Sequence, residues 1–260
     1  MKRSGLPRPY QVSAIDYNGK AAYAAAGEEA RPYPRLLPTS YRSVSSSLDF
    51  WTIDEQRRNL WVFPELYFVI ARPLAMDEQN IGEDAILGYG IGLCILDDAA
   101  QLASFGGTAR DLTLCHWYSQ YSDNTHFLFD DMYPGLNPRS LNVEIQSDTL
   151  GRHAFNQANL NWAGADLLNA VSPLYSAHAY DLVLLGASDK PIEVPFSAAF
   201  QPEEQIVVRV PGQCEQAVAV HDLRTPDRAV PRWKPRPFAV SPEILGAEWH
   251  EGNERQRSAR

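Results

Sequence analysis

The chain has 260 residues, 45% of them hydrophobic, and its 32 acidic residues outnumber its 23 basic residues to give a net charge of −9. A chain of this length holds one sizeable core, and its negative charge disfavours binding to nucleic acid or to an anionic membrane surface. The longest apolar stretches, 60–75 and 85–96, are interrupted by Pro, Gly or charged residues and do not reach the ~20 apolar residues of a spanning helix. We therefore expect neither a nucleic acid nor a membrane as partner.

Strand-forming residues dominate the first half of the chain. Leu60–Ala71 (LWVFPELYFVIA) is the clearest strand, and Pro64 within it indicates a bulge or an edge position. Asp84–Leu96, an apolar run with spaced Gly residues, is typical of a buried strand. The other predictions in this half are a short strand at Val12–Tyr17, a short Ala-rich helix at Ala21–Glu29 and an irregular loop at Arg31–Ser47.

The second half adds a hairpin, one helix and further strands. Leu141–Gln146 alternates apolar and polar residues, and a turn at Gly151 should pair it with a strand at His153–Gln157. Trp162–Ser172 has helical spacing, and Pro173 should end the helix. Further strands are predicted at Asp181–Leu185, Glu193–Pro195 and Gln205–Val210. Together these elements predict an α+β fold with a closed or rolled sheet and few short helices.

Composition divides the chain into two parts. Residues 1–215 form the predicted single domain, whereas residues 216–260 are poorer in apolar residues and carry several Pro, Arg and Glu. We expect this second part to be an extended, Pro-containing C-terminal tail.

The cysteines and the N-terminal residues bear on the cellular compartment. The three cysteines are widely spaced and form no CxxC or Cys/His metal pattern. The first residues, MKRSGLP, are charged but lead into no apolar segment, so we expect no signal peptide. A cytoplasmic location is the simplest expectation for such a chain.

Three segments, taken in order, resemble those of a known family. They are AIDYNGKAA at 14–22, then PELYFVIARPLA, GEDA and GYGIG within 64–96, then LNVEIQSD, NQANLN and AYDLVLLGAS within 141–188. Their order and spacing resemble the fumarylacetoacetate hydrolase (FAH) superfamily over roughly residues 12–215. The resemblance implies an FAH-like mixed β-roll or β-sandwich, a homodimer, and a pocket for a small-molecule substrate at the mouth of the sheet.

The residues that would hold the metal of that family are mostly replaced. The resemblance implies a site in which two Glu and one Asp hold Mg²⁺ or Mn²⁺, since hard cations prefer oxygen ligands. The first Glu position is occupied by Phe63, Glu65 matches the second, and the Asp position falls on Cys94. A second register, which matches TARD at Thr108–Asp111 to the SARD of the family, places Gly106 there instead. A single carboxylate is a poor site for Mg²⁺, so we expect no metal and no cofactor.

The acid–base residues of the family are replaced as well. The resemblance implies a His that activates water, a Glu that holds this His, and a Lys that steers the oxyanion. The matching positions fall on Lys20, on Tyr23 and near Pro38. We therefore expect the chain not to perform the usual Mg²⁺-dependent reaction of the family.

Four residues are the candidate catalytic groups, in falling order Glu65, His116, Asp97 and Lys20. Glu65 is either a pocket acid or a strand-end carboxylate with an Arg partner. His116, in the aromatic segment CHWYSQY, is the best general-base candidate, although a His beside aromatic residues is more often a packing residue. Asp97 forms with Asp98 either an acid–base pair or a turn cap. Lys20 either anchors an anionic substrate or is solvated.

Other residues are candidates for substrate binding or weaker candidates for catalysis. The residues expected to bind substrate are Tyr17, Tyr89, Cys94, Trp117, Asn159 and Ala187. The remaining histidines considered as bases, all weaker than His116, are His126, His153 and His178.

Three hypotheses about function follow. The first is a metal-independent enzyme of the FAH fold that uses acid–base chemistry for cyclisation, dehydration, isomerisation or decarboxylation of a small oxo-acid or polyketide-like substrate in a biosynthetic pathway. The second is a non-catalytic pseudoenzyme that binds a ligand or a partner subunit. The third is a Mg²⁺-dependent C–C hydrolase or decarboxylase whose ligands are displaced to acidic pairs, namely Glu28–Glu29, Asp97–Asp98 or Asp130–Asp131.

Overall fold

β-Strands dominate the residues that the structure describes. The structure is a computed structural model, and it describes residues 1–15, 18–25, 33–34, 36–39, 44–45, 51–53, 59–97 and 126–224. The strands are β1 (Val12–Ile15), β2 (Leu36–Thr39), β3 (Val44–Ser45), β4 (Trp51–Ile53), β5 (Leu60–Ile70), β6 (Ile86–Asp97), β7 (His126–Tyr133), β8 (Asn142–Ser147), β9 (Gly151–Asn156), β10 (Leu182–Leu184), β11 (Ile192–Val194), β12 (Gln205–Val210) and β13 (Cys214–Asp222). The α-helices within these ranges are α1 (Lys20–Ala25) and α2 (Gly164–Val171). Among the described residues, no helix has the length and hydropathy to span a bilayer.

Eight strands form a mixed sheet around the two longest strands, β5 and β6. The order is β2-β1-β10-β5-β6-β7-β3, and β11 is an additional partner of β5. β5 and β6 pair antiparallel from Leu60 opposite Asp97 to Ile70 opposite Ile86. Every residue of β5 is buried, as expected for a strand that is rich in aromatic and β-branched residues and has neighbours on both sides.

The pairing of β5 is interrupted on the side away from β6. β11 pairs with Leu60–Val62 and β10 pairs with Tyr67–Val69, so Phe63–Leu66 lie between the two ladders. Pro64 lies in this interval, where its missing N–H breaks no ladder bond on that side. The expected bulge at Pro64 is wrong, because the register shift of β5 lies near its far end. The expected edge position holds locally, because Pro64 has no ladder partner on one side although β5 is a central strand.

The other five strands form a second sheet, in the order β4-β13-β12-β8-β9. β8 and β9 are an antiparallel hairpin whose turn ends at Gly151, where a φ of 72° suits glycine. This pairing confirms the hairpin predicted from the sequence. β13 pairs with β12 and with β4, so the sheet continues beyond residue 215, where the sequence-based domain boundary lies. Residues 225–260 of the expected tail are outside the described residues.

The main hydrophobic core lies between the two sheets. One cluster of buried side chains joins Leu93 of β6 to Ile145 of β8 and Ile206 of β12. A smaller cluster, which includes Tyr67 and Leu184, lies against the other face of the larger sheet. Burial on both faces explains the nearly continuous apolar sequences of β5 and β6. The architecture confirms the predicted α+β fold.

Two elements of the larger sheet differ from the expectations from sequence. Arg31–Ser47, expected to be an irregular loop, contains β2 and β3, because pairing with β1 and β7 supplies partners that the local sequence does not reveal. The sequence also does not predict β7, since Asp130 and Asp131 interrupt its apolar pattern. Both carboxylates are instead bound by N-terminal residues, Ser4 and Lys2 respectively.

Three glycines, Gly88, Gly90 and Gly92, occupy alternate positions of β6 and therefore lie on one face of the sheet. Gly90 pairs opposite Tyr67 of β5, and Gly92 pairs opposite Glu65. The Tyr67 ring lies beside Gly90, and its hydroxyl donates a 2.6 Å hydrogen bond to a backbone carbonyl of β7. The Tyr67 side chain reaches across β6 because Gly90 has no side chain.

Replacing Gly90 by Ala is expected to lower the free energy of unfolding by about 2–3 kcal/mol, because the added Cβ would overlap the Tyr67 ring in a packed core. Gly88→Ala is the matched control on the same face of the same strand, since its Cβ would meet the nearest atoms at 3.4 Å, an ordinary contact. Urea unfolding of both variants measures the difference. Equal midpoints would contradict the packing of Tyr67 over Gly90.

Candidate functional site

The side chain of Glu65 is buried in the larger sheet and hydrogen-bonded through both oxygens. It is 1% exposed and lies in the interval of β5 between the β10 and β11 ladders. Oε1 accepts a 2.9 Å hydrogen bond from the backbone N–H of Gly186, and Oε2 lies 3.1 Å from Nδ1 of His126. Each oxygen thus has the partner that a buried carboxylate requires.

Glu65 and His126 meet across an intervening strand. Glu65 belongs to β5 and His126 to β7, and β6 lies between these strands. Neighbouring strands are about 4.8 Å apart, so the two backbones are separated by about twice that distance. Gly92, the residue of β6 opposite Glu65, adds no side chain between them, and a Cβ at this position would overlap the backbone carbonyl of Phe127 in β7.

Cys94 completes a buried cluster with this pair. It pairs in register with His126 on one side and with Phe63 on the other, and it is 0% exposed. One ligand-type atom from each of Glu65, Cys94 and His126 lies within 4.8 Å of the other two. We call these three residues the β5–β7 cluster. Among the residues that the structure describes, it is the one group of three His, Cys, Asp or Glu side chains with this spacing.

Among the described residues, no atom forms a hydrogen bond with the second ring nitrogen of His126. Nε2 is buried and is not bonded to any protein atom in the described part of the chain. In the tautomer whose hydrogen is on Nδ1 and faces Glu65 Oε2, Nε2 carries the free lone pair of the ring. In a histidine that acts as a general base, a carboxylate typically holds one ring nitrogen while the other stays available to accept a proton. Nδ1 and Nε2 of His126 have this arrangement.

Asn18 holds the loop that carries Gly186. Asn18 is 0% exposed, and its side-chain amide donates to the carbonyls of Trp162 and Leu185 at 2.7 and 2.9 Å. Its backbone N–H donates to the carbonyl of Ala187 at 3.0 Å. Both chain neighbours of Gly186 are thus bound to one buried residue, which fixes the Gly186 N–H against the carboxylate of the cluster.

Three residues predicted from the sequence lie at or beside the cluster, namely Glu65, Cys94 and Ala187. Lys20 is the exposed first residue of α1, and none of the described contacts joins it to the cluster. Tyr17, His116 and Trp117 lie outside the described residues, and so does the side chain of Asp97, whose backbone ends β6. The roles proposed for these residues stay predictions.

His126, a weaker candidate than His116 from the sequence, is the histidine that contacts Glu65. The available signal is its position at the start of an otherwise largely apolar segment, HFLFDDMY, where an imidazole requires a polar partner. That partner lies 61 positions earlier in the chain. Only the strand order and the register across β6 reveal which residue it is.

The described contacts of Tyr89 and Asn159, two residues expected to bind substrate, are with residues outside the β5–β7 cluster. Tyr89 lines a cavity of about 350 Å³ together with Glu83 and Arg139, and its hydroxyl donates a 3.1 Å hydrogen bond to Glu83. Burial, reinforced by the neighbouring Glu83 carboxylate, raises the pKa of the Tyr89 hydroxyl well above its usual range. Asn159 is exposed and donates to the carboxylate of Asp189 at 2.7 Å.

The described residues do not fit a Mg²⁺ or Mn²⁺ ion. At the positions matched to the metal ligands of the FAH family, Phe63 offers no donor, Glu65 offers a carboxylate and Cys94 offers a sulfur. Hard cations need several oxygen ligands. The acidic pair Asp130–Asp131 is not a substitute, because N-terminal residues already bind both carboxylates. Gly106, the alternative match, lies outside the described residues.

Comparison with known proteins gives matches in structure. No family model matches the sequence, and no curated protein matches it. A fumarylacetoacetate hydrolase family protein from Yersinia pestis CO92 aligns with a TM-score of 0.66 at 16% identity, over 84% of this chain and 95% of its own.

Two further solved structures carry the names of enzymes. Fumarylpyruvate hydrolase from Pseudomonas aeruginosa, in complex with Mn²⁺ and pyruvate, aligns with a TM-score of 0.62 at 18% identity, over 83% of this chain and 92% of its own. The 5-carboxymethyl-2-hydroxymuconate delta-isomerase from Mycobacterium smegmatis has a TM-score of 0.62 at 16% identity, over 82% of this chain and 77% of its own. At these identities the matches show the fold. The chain has the α+β fold of the FAH family, as the sequence resemblance implied.

Removal of the Glu65 carboxylate is expected to be costly, because Gly186 N–H and His126 Nδ1 would both lose their partner inside the sheet. We expect Glu65→Ala to lower the free energy of unfolding by about 3 kcal/mol. Glu65→Gln should lower it by less, since an amide keeps the shape and can hydrogen-bond to both groups. Urea or thermal unfolding measures these changes.

Glu193→Ala is the control for this prediction. Glu193 lies on β11, which pairs with β5, but its side chain is 62% exposed and has one exposed ion pair with Lys190. Such a pair contributes about 0.5 kcal/mol or less. If Glu65→Ala is as stable as Glu193→Ala, the contacts assigned to the buried carboxylate are wrong.

Proposed function

We propose that the chain is a divergent enzyme of the FAH fold that acts on a small oxo-acid by acid–base chemistry, without a metal ion. The observation that carries this proposal is the buried contact of 3.1 Å between Glu65 and His126. Two ionisable side chains are expensive to keep inside a core, and such pairs are concentrated at functional sites. The hydrolase and isomerase names of the structural neighbours support an enzyme of this general kind.

A small oxo-acid, or a polyketide-like compound with similar chemistry, is the proposed substrate class. A neighbour of the same fold is a fumarylpyruvate hydrolase in complex with pyruvate, a 2-oxo acid. The carbon next to a carbonyl gives up a proton to an oriented base much more readily than other carbons do. Isomerisation, dehydration and cyclisation can each pass through the resulting enolate, whereas decarboxylation forms an enolate by loss of CO₂ instead of a proton. Which of these reactions occurs would depend on the substrate that a biosynthetic pathway supplies.

His126 is the proposed base, and Glu65 is its positioning residue. Nε2 would take the proton from the carbon beside the carbonyl, and the C–H bonding electrons would become those of the enolate. Glu65 would stabilise the imidazolium through the hydrogen at Nδ1. Return of the proton to another carbon or to the oxygen would restore neutral His126. His116, Asp97 and Lys20 remain predicted contributors.

A non-catalytic protein is the second candidate, and the burial of the pair favours it. Glu65 and His126 are each 1% exposed, and a buried polar pair can serve to fix the register of a sheet. In this case the chain would bind a ligand or a partner subunit without chemistry. The homodimer and the cytoplasmic location stay predictions under either candidate.

Chelator-treated protein is expected to show no rise in melting temperature on addition of Mg²⁺ or Mn²⁺, with or without pyruvate or oxalate, because Glu65 is the single oxygen donor at the matched positions. A ligand present at 100 times its dissociation constant would stabilise the folded state by about 2.7 kcal/mol. A thermal-shift titration detects a change of that size. A clear rise in melting temperature would contradict this prediction and support the third hypothesis, a Mg²⁺-dependent enzyme. Glu28–Glu29 and Asp97–Asp98 would then be the first candidates for the missing ligands.

The untreated and the chelator-treated protein are expected to exchange the carbon-bound protons next to the carbonyl of short 2-oxo acids for deuterium in D₂O. NMR follows the loss of the proton signal for a series that begins with pyruvate. His126→Gln and Glu65→Gln should slow this exchange by about 100-fold or more, since each removes one part of the oriented base.

His153→Gln is the control for the exchange assay, because His153 is an exposed histidine of β9 whose Nε2 contacts the carbonyl of Leu150. It should leave the rate unchanged. Exchange that is equal in the wild type and in His126→Gln would exclude His126 as the base. A complete lack of exchange across the series would favour the non-catalytic candidate.

A further inference from the structure

We propose that the β5–β7 cluster, Glu65, Cys94 and His126, is a binding site for a borderline divalent cation, with Zn²⁺ as the first choice. The proposal does not require the chain to be an enzyme. It replaces the expectation from sequence that the chain binds no metal, and it differs from the Mg²⁺ or Mn²⁺ site implied by the family resemblance in ligands and in ion.

The donor set selects the class of ion. The cluster offers one carboxylate oxygen, one sulfur and one imidazole nitrogen. Thiolate and imidazole suit Zn²⁺ and neighbouring transition metals, whereas Mg²⁺ and Ca²⁺ take oxygen ligands almost exclusively. The replacement of a carboxylate by Cys94, which removes a Mg²⁺ ligand, thus supplies a good ligand for Zn²⁺.

The spacing of the three groups fits one tetrahedral ion. Zn–N and Zn–O bonds of about 2.0 Å and a Zn–S bond of about 2.3 Å place the ligand atoms of a tetrahedron about 3.3–3.6 Å apart. The Glu65 Oε2 to His126 Nδ1 distance is 3.1 Å, and the three ligand-type atoms lie within 4.8 Å of one another. Separations at the upper end of that range would have to shorten by about 1.5 Å on binding of the ion.

A metal site requires ligands that are held in place before the ion binds, and the backbone around the cluster provides this support. The three ligands lie on three consecutive strands of one sheet, so their Cα positions are fixed by ladder hydrogen bonds. The Gly186 N–H orients Glu65 through Oε1 and leaves Oε2 for the ion. The buried Nε2 of His126 has no protein partner among the described residues, so Glu65 is the one group that competes with an ion for the imidazole.

Binding of the ion must release protons. Zn²⁺ binds a thiolate and a neutral imidazole nitrogen, so the Cys94 thiol gives up its hydrogen, and the hydrogen shared by Glu65 and His126 leaves if Nδ1 is the ligating nitrogen. Affinity should therefore rise with pH. An occupied site would also use the groups that the proposed proton transfer needs, so Zn²⁺ should inhibit deuterium exchange. This last consequence rests on the proposed function, whereas the binding itself does not.

Cobalt titration of the chelator-treated full chain tests the binding directly. Co²⁺ replaces Zn²⁺ in such sites and gives a thiolate-to-cobalt charge-transfer band in the near ultraviolet together with the visible bands of tetrahedral cobalt. We expect one equivalent to bind, a stoichiometric amount of Zn²⁺ to displace it, and a large excess of Mg²⁺ to leave the bands unchanged. No charge-transfer band in the wild type would overturn the proposal.

Variants at the cysteines identify the thiolate. Cys115→Ser/Cys214→Ser, which leaves Cys94 as the one thiol, should keep the charge-transfer band at full intensity. Cys94→Ser and Cys94→Ala should lose it and should weaken cobalt binding at least tenfold, and His126→Gln should weaken binding to a similar degree. Circular dichroism confirms that each variant is folded. A band that persists in Cys94→Ala, or that is lost in the double variant, would overturn the assignment.

The exchange assay separates this proposal from the proposed function. If Co²⁺ binds through Cys94 while no 2-oxo acid exchanges protons, the metal site stands and the enzyme proposal fails. If exchange is observed and no charge-transfer band forms, the reverse holds.

Discussion

The burial of one carboxylate, that of Glu65, is the constraint on which the arrangement of the larger sheet depends. Moving an ionised carboxylate out of water costs several kcal/mol unless the protein replaces the lost hydrogen bonds. The replacements come from two distant parts of the chain, the loop after β10 and the first residue of β7. The order of β10, β5, β6 and β7 and the register of their pairing bring both groups to it.

Local sequence predicts those strands whose order of apolar and polar residues follows from which of their faces are buried. β5, β6 and the β8–β9 hairpin follow from apolar runs and alternation, and the family resemblance gave the correct fold although the three solved structures compared with the chain are only 16–18% identical to it. β2, β3 and β7 do not follow from the sequence, because each depends on partners far along the chain. In β7 the carboxylates of Asp130 and Asp131 also conceal the pattern, since their partners are at the N-terminus.

The candidate site is only partly predictable from the sequence, for a related reason. Glu65 is conspicuous as a carboxylate within an apolar strand, and Cys94 follows from the family resemblance. His126 does not, because its contact with Glu65 spans three strands and is created by register rather than by any local motif. The family resemblance implies which ligand and acid–base residues are replaced, whereas the geometry identifies the cluster that Glu65, Cys94 and His126 form together.

The interval in β5 between its partners β10 and β11 also bears on the dynamics of the sheet. Phe63–Leu66 are paired through β6 on one side, but on the other side they meet a loop instead of a ladder. Local opening of a sheet proceeds most readily where the fewest cooperative hydrogen bonds must break together. The loop around Gly186 is held by hydrogen bonds to Asn18, Glu65 and Leu66 instead of a continuous ladder, so we expect it to open more readily than the flanking ladders. Brief fluctuations of that loop would admit water to Glu65 and His126 while the ladders on either side stay intact.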